Sequence, residues 1–247
     1  MIQQCCAAGE IHTGTPTGRV DKVHGLDCYI ATPPTGTTPQ GVIVILPDIF
    51  GWRLVNTRIL ADAYASKGNY LVFLPELQDG MAFDPSLLTS LENLETAGLY
   101  AALTRAYHFA RIACRYLPFA RVNTDDVVRS RLYPSSPRSA KMKAGGVDVD
   151  GKRLPLVDAV YTAHPSNMRV PGDVEAVSLP MSVAAGEIDA RFPKDKVEVT
   201  REILERKTRE EGKKHEMVWY EGCHYGWAVR GEKDDLVEGR KGLEAEE

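Results

Sequence analysis

The chain has 247 residues, 43% of them hydrophobic, and a formal net charge of −4. This composition can build the core of one α/β domain, and its acidic balance gives no reason to expect nucleic acid or an anionic membrane surface as a partner. No apolar run approaches the ~20 residues of a membrane span, and the N-terminus lacks the basic and apolar regions of a secretory signal. The five cysteines are odd in number and lack zinc-like spacing; this favours a reducing, cytoplasmic setting and no metal site.

The first half of the chain contains one strand–helix–strand unit. Residues 20–32 predict a strand or hairpin with Gly25 at its turn. Residues 42–46, VIVIL, form an unbroken apolar run, which is typical of a parallel strand buried on both faces. Residues 56–67 have helical spacing and end at Gly68, and residues 70–74 form a second apolar strand. Together they predict a right-handed crossover within a mostly parallel sheet.

The second half continues the α/β pattern after an irregular stretch. Residues 84–118 have helical spacing, whereas residues 127–150 are basic and loop-like. Strands are predicted at residues 156–163, 179–185 and 216–220, and a charged helix at residues 194–211. No glycine fingerprint of a dinucleotide site follows a strand, and no cofactor is predicted. We therefore expect a single domain over residues 1–247.

Polar residues follow three of the predicted strands. The segment from Asp48 to Trp52 follows the first apolar strand, Asp189 follows the strand at 179–185, and His224 follows the last strand. The carboxyl ends of parallel strands share one edge of a sheet. An acid followed by a histidine is the chain order of α/β hydrolases, in which the acid orients the imidazole and the imidazole takes the nucleophile's proton. Taken singly, Asp189 also fits a loop or helix-cap acid, and His224 a surface or packing histidine.

Several motifs resemble the dienelactone hydrolase family, especially its fungal members. They are CC and GTPTG within residues 5–18, PDIFGW at 47–52, NTRILADAYASKG at 56–68, AHPS at 163–166, GEIDARF at 186–192 and GCHYGWAVRG at 222–231. The resemblance implies an α/β-hydrolase-like three-layer sandwich with a mostly parallel central sheet. It also implies a Cys–His–Asp triad acting on small esters or lactones that carry a nearby carboxylate or enol.

The resemblance assigns roles to individual positions of this chain. Asp189 matches the triad acid, and Ile49 matches the position whose backbone N–H helps form the oxyanion hole. Asp48 stands beside the nucleophile's place, and Arg230 resembles an arginine that meets the substrate's anionic group through a two-pronged hydrogen bond. The predicted pocket is completed by Phe50, Trp52, Tyr225 and Trp227.

The chain departs from the family pattern at the nucleophile. The G-x-C-x-G elbow expected near position 139 is absent, and Pro137 occupies the nucleophile's place. Ser135, Ser136 and Ser139 lie nearby without the glycines of an elbow, so the nucleophile is not identified.

Two further departures concern the base and the end of the chain. Tyr225 falls at the usual histidine position, and His224 lies one residue earlier, where an extended segment would reverse its side chain. His224 is nevertheless the best candidate base, since a tyrosine has a reference pKa of about 10. The family's covering C-terminal helix is expected to be missing after Glu247.

Two functions remain open from the sequence. One is hydrolysis of a small ester or lactone with His224, Asp189 and a further nucleophile. The other is a catalytically inactive family member that keeps the pocket to bind a small molecule or a partner. A monomer or a homodimer is compatible with either function.

Overall fold

The computed structural model describes residues 11–78, 80, 82–84, 106, 107, 110, 114, 147–149, 152–154, 157–166 and 168–231. Its elements alternate between strands and helices over most of this length, as the α/β prediction requires. In chain order they are β1 (Arg19–Val23), β2 (Leu26–Ala31), β3 (Gly41–Val44), α1 (Val55–Gly68), β4 (Tyr70–Pro75), β5 (Val147–Val149), β6 (Lys152–Leu154), β7 (Val160–Ala163), α2 (Gly172–Glu175), β8 (Met181–Ile188), α3 (Lys194–Glu211), β9 (Glu216–His224) and α4 (Trp227–Arg230).

A four-stranded sheet with the order β1-β2-β4-β3 contains the predicted strand–helix–strand unit. β1 and β2 form the predicted hairpin, whose two turn residues, His24 and Gly25, have φ values of 49° and 85°. Positive φ at both positions is what a two-residue turn between twisted strands requires. β3 and β4 are parallel, and α1 connects them. The helix ends at the predicted Gly68, and the left-handed residue that caps it is Asn69 at φ 53°, since asparagine also tolerates this conformation.

The prediction that the apolar strand of residues 42–46 is buried on both faces is wrong for β3. Val42 is 62% exposed, whereas Ile43 packs against the hydrophobic cluster that contains Val72 and Ala61. The reason is its position: β3 is the last of the described strands in its sheet, and among the described residues it pairs only with β4.

A second sheet, ordered β7-β8-β9, is parallel throughout and supplies the strands of the predicted acid and base. β8 and β9 are both longer than predicted, so that Ile188 and His224 lie opposite each other at their ends. The register shifts near Gly186, where a Cβ would lie 2.5 Å from the carbonyl oxygen of Cys223. α3 has the predicted bounds, and its hydrophobic side packs against this sheet.

The stretch predicted to be irregular, residues 127–150, overlaps a strand. β5 at Val147–Val149 pairs with β6 in an antiparallel hairpin. Pro137, Ser135, Ser136, Ser139 and the chain after residue 231 lie outside the described residues. Within the predicted helical stretch 84–118, residue 84 is described and lies outside any helix, whereas residues 106, 107, 110 and 114 are helical.

Side-chain contacts join the two sheets near the carboxyl ends of their strands. Asn56 at the start of α1 donates to the carbonyl oxygen of Val229 at 2.9 Å, and His12 Nε2 lies 3.1 Å from the carbonyl oxygen of Gly231. The segment after β9 is thereby held against the loop after β3. In the part of the chain that is described, no helix is both long and apolar enough to span a membrane.

Candidate active site

The loop that follows β3 is fixed by hydrogen bonds to both the side chain and the backbone of Asp48. Its Oδ1 accepts from the N–H of Phe50 at 2.9 Å, a turn that aspartate favours. Its carbonyl oxygen accepts from the N–H of Gly51 at 3.0 Å and from Nε2 of the buried Gln78 at 2.7 Å. Gly51 has a φ of 73°, and a side chain there would collide with Gln78. The loop therefore has a fixed conformation before any substrate binds.

Ile49 lies in this loop with its backbone only partly engaged. Its carbonyl oxygen accepts from the N–H of Phe83 at 2.8 Å, and no acceptor for its own N–H is found among the described residues. An N–H held in a rigid loop and left without an acceptor can stabilise a developing oxyanion. Its predicted role in the oxyanion hole is compatible with this state and stays a prediction.

Arg230, which lies 182 residues after Asp48 in the sequence, contacts the same loop. The residue is 1% exposed, and its Nη1 donates to Oδ2 of Asp48. Its guanidinium carbon lies 5.1 Å from the centroid of the Phe50 ring. Gly226 has a φ of 88°, and a Cβ there would collide with the guanidinium, so glycine gives the arginine its space. A buried guanidinium needs an anionic partner, and Asp48 provides it.

Asp189 is buried at the end of β8 and is only half satisfied. It is 4% exposed, and its Oδ1 accepts from the N–H groups of Arg191 at 2.7 Å and Phe192 at 3.2 Å. Its Oδ2 is buried without a hydrogen-bond partner among the described residues. Burial raises the pKa of this carboxyl above its ordinary value, and the two backbone donors oppose the rise.

His224 ends β9 beside this acid, but no hydrogen bond joins the two side chains in the described structure. Cys223 is buried, and side chains alternate along a strand, so the next residue, His224, faces the exposed side. The register nevertheless places His224 opposite Ile188, the residue before Asp189. The acid–base pair stays a prediction, since it needs a change in the side-chain position of His224.

Tyr225, a predicted pocket residue, forms an aromatic pair with His164, which the sequence analysis did not assign to the site. Tyr225 is half-buried, and its ring meets the His164 ring edge-on, with centroids 5.0 Å apart. His164 follows β7 directly, is 9% exposed, and has a φ of 40°. Burial, reinforced by the charge of Arg230, lowers the pKa of His164 to about 3. The signal that could have found it was its position in the AHPS motif directly after a predicted strand.

The two predicted pocket tryptophans lie in hydrophobic clusters. Trp52 packs with Tyr29 and Ala61, and the guanidinium carbon of Arg58 lies 4.9 Å from the centroid of its ring. Trp227 begins α4, and its ring lies 4.3 Å from that of Tyr220. Their packing fixes the flanking elements, and a direct contact with substrate stays a prediction.

Neither of the two buried cysteines that the structure describes has the environment of an activated nucleophile. Cys28 is buried in β2, and desolvation raises the pKa of its thiol, whereas nucleophilic thiols have a lowered pKa. Cys223 is buried among Ala184 and Trp227. Within the described ranges, no three His, Cys, Asp or Glu side chains are grouped to hold a metal ion.

Comparisons with known proteins place this arrangement in a family. The model of the dienelactone hydrolase family matches residues 146–245. The hydrolase tropI of Talaromyces stipitatus is 31% identical over 236 residues, covering 93% of this chain and 87% of that protein. The hydrolase pyvD of Aspergillus violaceofuscus is 29% identical over 209 residues, covering 81% of this chain and 76% of its own length.

Among solved structures, a putative dienelactone hydrolase from Klebsiella pneumoniae aligns over 89% of this chain and 90% of its own, with 16% identity and a TM-score of 0.49. The family model, the extent of the match to the Talaromyces hydrolase and the motifs at the strand ends agree with one another. The chain belongs to the dienelactone hydrolase family and has its α/β-hydrolase fold.

Proposed function

We propose that the protein hydrolyses small esters or lactones that carry an anionic group close to the scissile bond. The observation that carries this proposal is the buried Arg230, held by Asp48 in the loop that also contains Ile49. A guanidinium fork can pair with a carboxylate, so it can orient an anionic ester beside the backbone N–H of Ile49.

The proposed chemistry is acyl transfer in two steps. A nucleophile from outside the described residues attacks the carbonyl carbon, and the N–H of Ile49 stabilises the oxyanion of the tetrahedral intermediate. His224 takes the nucleophile's proton and passes it to the leaving oxygen, while Asp189 holds the imidazole and offsets its charge. Water then releases the acid by the same route in reverse.

The names of the fungal relatives support a hydrolase function for this protein. Those from Talaromyces and Aspergillus are named hydrolases, and a protein of Gibberella moniliformis that is 39% identical over 64 residues is named dienlactone hydrolase 1. The structure adds a feature that a hydrolase of anionic substrates needs, a cation sequestered from water at the edge of the sheet where the predicted catalytic residues lie.

The test is hydrolysis of p-nitrophenyl acetate and of a dienelactone by the purified full chain. We expect turnover, and we expect Asp189→Asn to lower kcat on the order of 10³- to 10⁴-fold, as removal of a triad acid does. Asn keeps the oxygen that accepts from Arg191 and Phe192, so the variant isolates the charge. Asp195→Asn, an exposed acid in the first turn of α3, is the matched control and should not change kcat.

Folded protein without turnover of either ester would refute the proposal and leave a binding function for the pocket. Equal kcat values for the Asp189→Asn variant and the parent would refute the role of Asp189 alone.

A further inference from the structure

His164 combines two unfavourable features at one position. It is a non-glycine residue at a φ of 40°, in the left-handed region that L residues rarely adopt. Its Nε2 is buried and has no hydrogen-bond partner in the described structure. Buried polar atoms in folded proteins are nearly always hydrogen-bonded, so each exception needs a physical reason.

The position of His164 in the fold supplies a reason. The residue directly follows β7, and the ring stands edge-on to Tyr225, which follows β9. The positive charge of Arg230 acts on the same imidazole. His164 therefore lies at the carboxyl edge of the second sheet, beside the cation that faces Asp48.

The ring has a defined hydrogen-bonding character there. Burial and the neighbouring guanidinium keep the imidazole neutral, with a pKa of about 3. Because Nε2 has no partner, the hydrogen bond between the ring and its own backbone falls to the other ring nitrogen, Nδ1, which then carries the proton. Nε2 then presents a lone pair and accepts a hydrogen bond.

We propose that His164 is a specificity-determining residue whose Nε2 accepts a hydrogen bond from a hydroxyl or enol group of an anionic substrate bound at Arg230. This inference rests on the proposed function for the nature of the site, and it adds a requirement to the substrate. The favoured ligand is a small carboxylate that also carries an O–H donor, placed so that both groups are engaged at once. A carboxylate without the hydroxyl leaves Nε2 without a partner.

The test measures binding rather than turnover, with benzoate and its three hydroxy isomers as probes in isothermal titration calorimetry. We expect one isomer to bind the parent protein about 3- to 10-fold more tightly than benzoate, the gain of one hydrogen bond between neutral groups. His164→Gly removes the ring and tolerates the positive φ, and His164→Asn keeps a polar side chain too short to reach the place of Nε2. Both variants should bind benzoate as the parent does and lose the preference for the hydroxy isomer.

Two further measurements separate recognition from a structural role. Millimolar imidazole should restore the preference in His164→Gly, since the free ring can enter the space that the substitution leaves. His24→Gly is the matched control. His24 also has a left-handed backbone conformation, with a φ of 49°, but its side chain is exposed in the β1–β2 turn. This variant should leave the preference unchanged.

The inference is overturned if none of the four probes binds the parent protein, if no hydroxy isomer binds better than benzoate, or if the preference survives in both His164 variants. Its failure differs from that of the proposed function. If the parent protein turns over the esters but shows no preference for a hydroxy isomer, only the role of His164 is rejected. If the parent shows the preference and both His164 variants lose it, but no ester is turned over, only the hydrolytic step is rejected.

Discussion

Replacing Asp48 with asparagine should destabilise the fold more than a change of one atom suggests. The variant keeps an oxygen for the N–H of Phe50 but loses the charge that compensates Arg230. Arg230 is 1% exposed, so water cannot take over the role of the carboxylate. The perturbation therefore removes an anionic partner from a buried guanidinium.

The size of the effect follows from the burial of the two partners. Removing one member of a buried ion pair typically costs about 3–5 kcal/mol. The Asp48 side chain is 23% exposed, which admits some water, so we expect a loss at or just below the lower limit of that range, about 2–3 kcal/mol. For a chain of this length, that loss lowers Tm by about 5–10 °C.

The assay is urea unfolding of four proteins in a double-mutant cycle. The cycle compares the parent, Asp48→Asn, Arg230→Met and the double variant. We expect a coupling free energy of about 1–3 kcal/mol, because a methionine at position 230 packs against Phe50 and carries no charge for Asp48 to compensate. Asp27→Asn is the control, since Asp27 pairs with Lys22 on the exposed hairpin, and it should change the free energy of unfolding by less than about 1 kcal/mol. Additive effects of the two substitutions, or an Asp48→Asn variant as stable as the parent, would refute the reasoning.

Two more predictions concern backbone space and pH. Gly226→Ala should lower the free energy of unfolding by more than the backbone strain of a left-handed residue, about 1–2 kcal/mol, because the new Cβ also collides with Arg230. Gly25→Ala, at a φ of 85° with no atom within 4 Å of the new Cβ, should lower it by the strain alone. Equal losses in thermal unfolding would contradict the contact. The folded-state pKa of His164 lies near 3, below the unfolded value of about 6.5. Its contribution to stability is therefore present above pH ~6.5 and is lost as the pH falls towards 3, with a slope of up to about 1.4 kcal/mol per pH unit. His164→Asn should flatten that slope in urea unfolding between pH 7.5 and 4.5, and parallel curves for the two proteins would contradict the burial of a neutral imidazole.

The elements that formed as predicted are those specified by local chemistry. The spacing of apolar residues placed α3 at its observed bounds, and α1 within a residue of them. The glycine of the β1–β2 turn marked the hairpin, since a two-residue turn needs positive φ. The motifs at the strand ends indicated the family. Each of these signals lies within a short window, so the chain order alone carries it.

Which side chains pair with each other across the site could be seen only in the tertiary structure. Asp48 and Arg230 are 182 residues apart, and no local pattern indicates that one neutralises the other. β9 continues to His224, so strand alternation directs that histidine to the exposed side, whereas a strand ending at residue 220 would have left its direction open.

The sequence by itself determined the fold family, the order of the longer strands and helices, and the candidate residues at the strand ends. Only the tertiary structure decided which of those side chains are buried, which face water, and that His164 joins them. The physical reason is that periodicity and turn chemistry act between near neighbours, while burial and charge pairing depend on how distant segments pack.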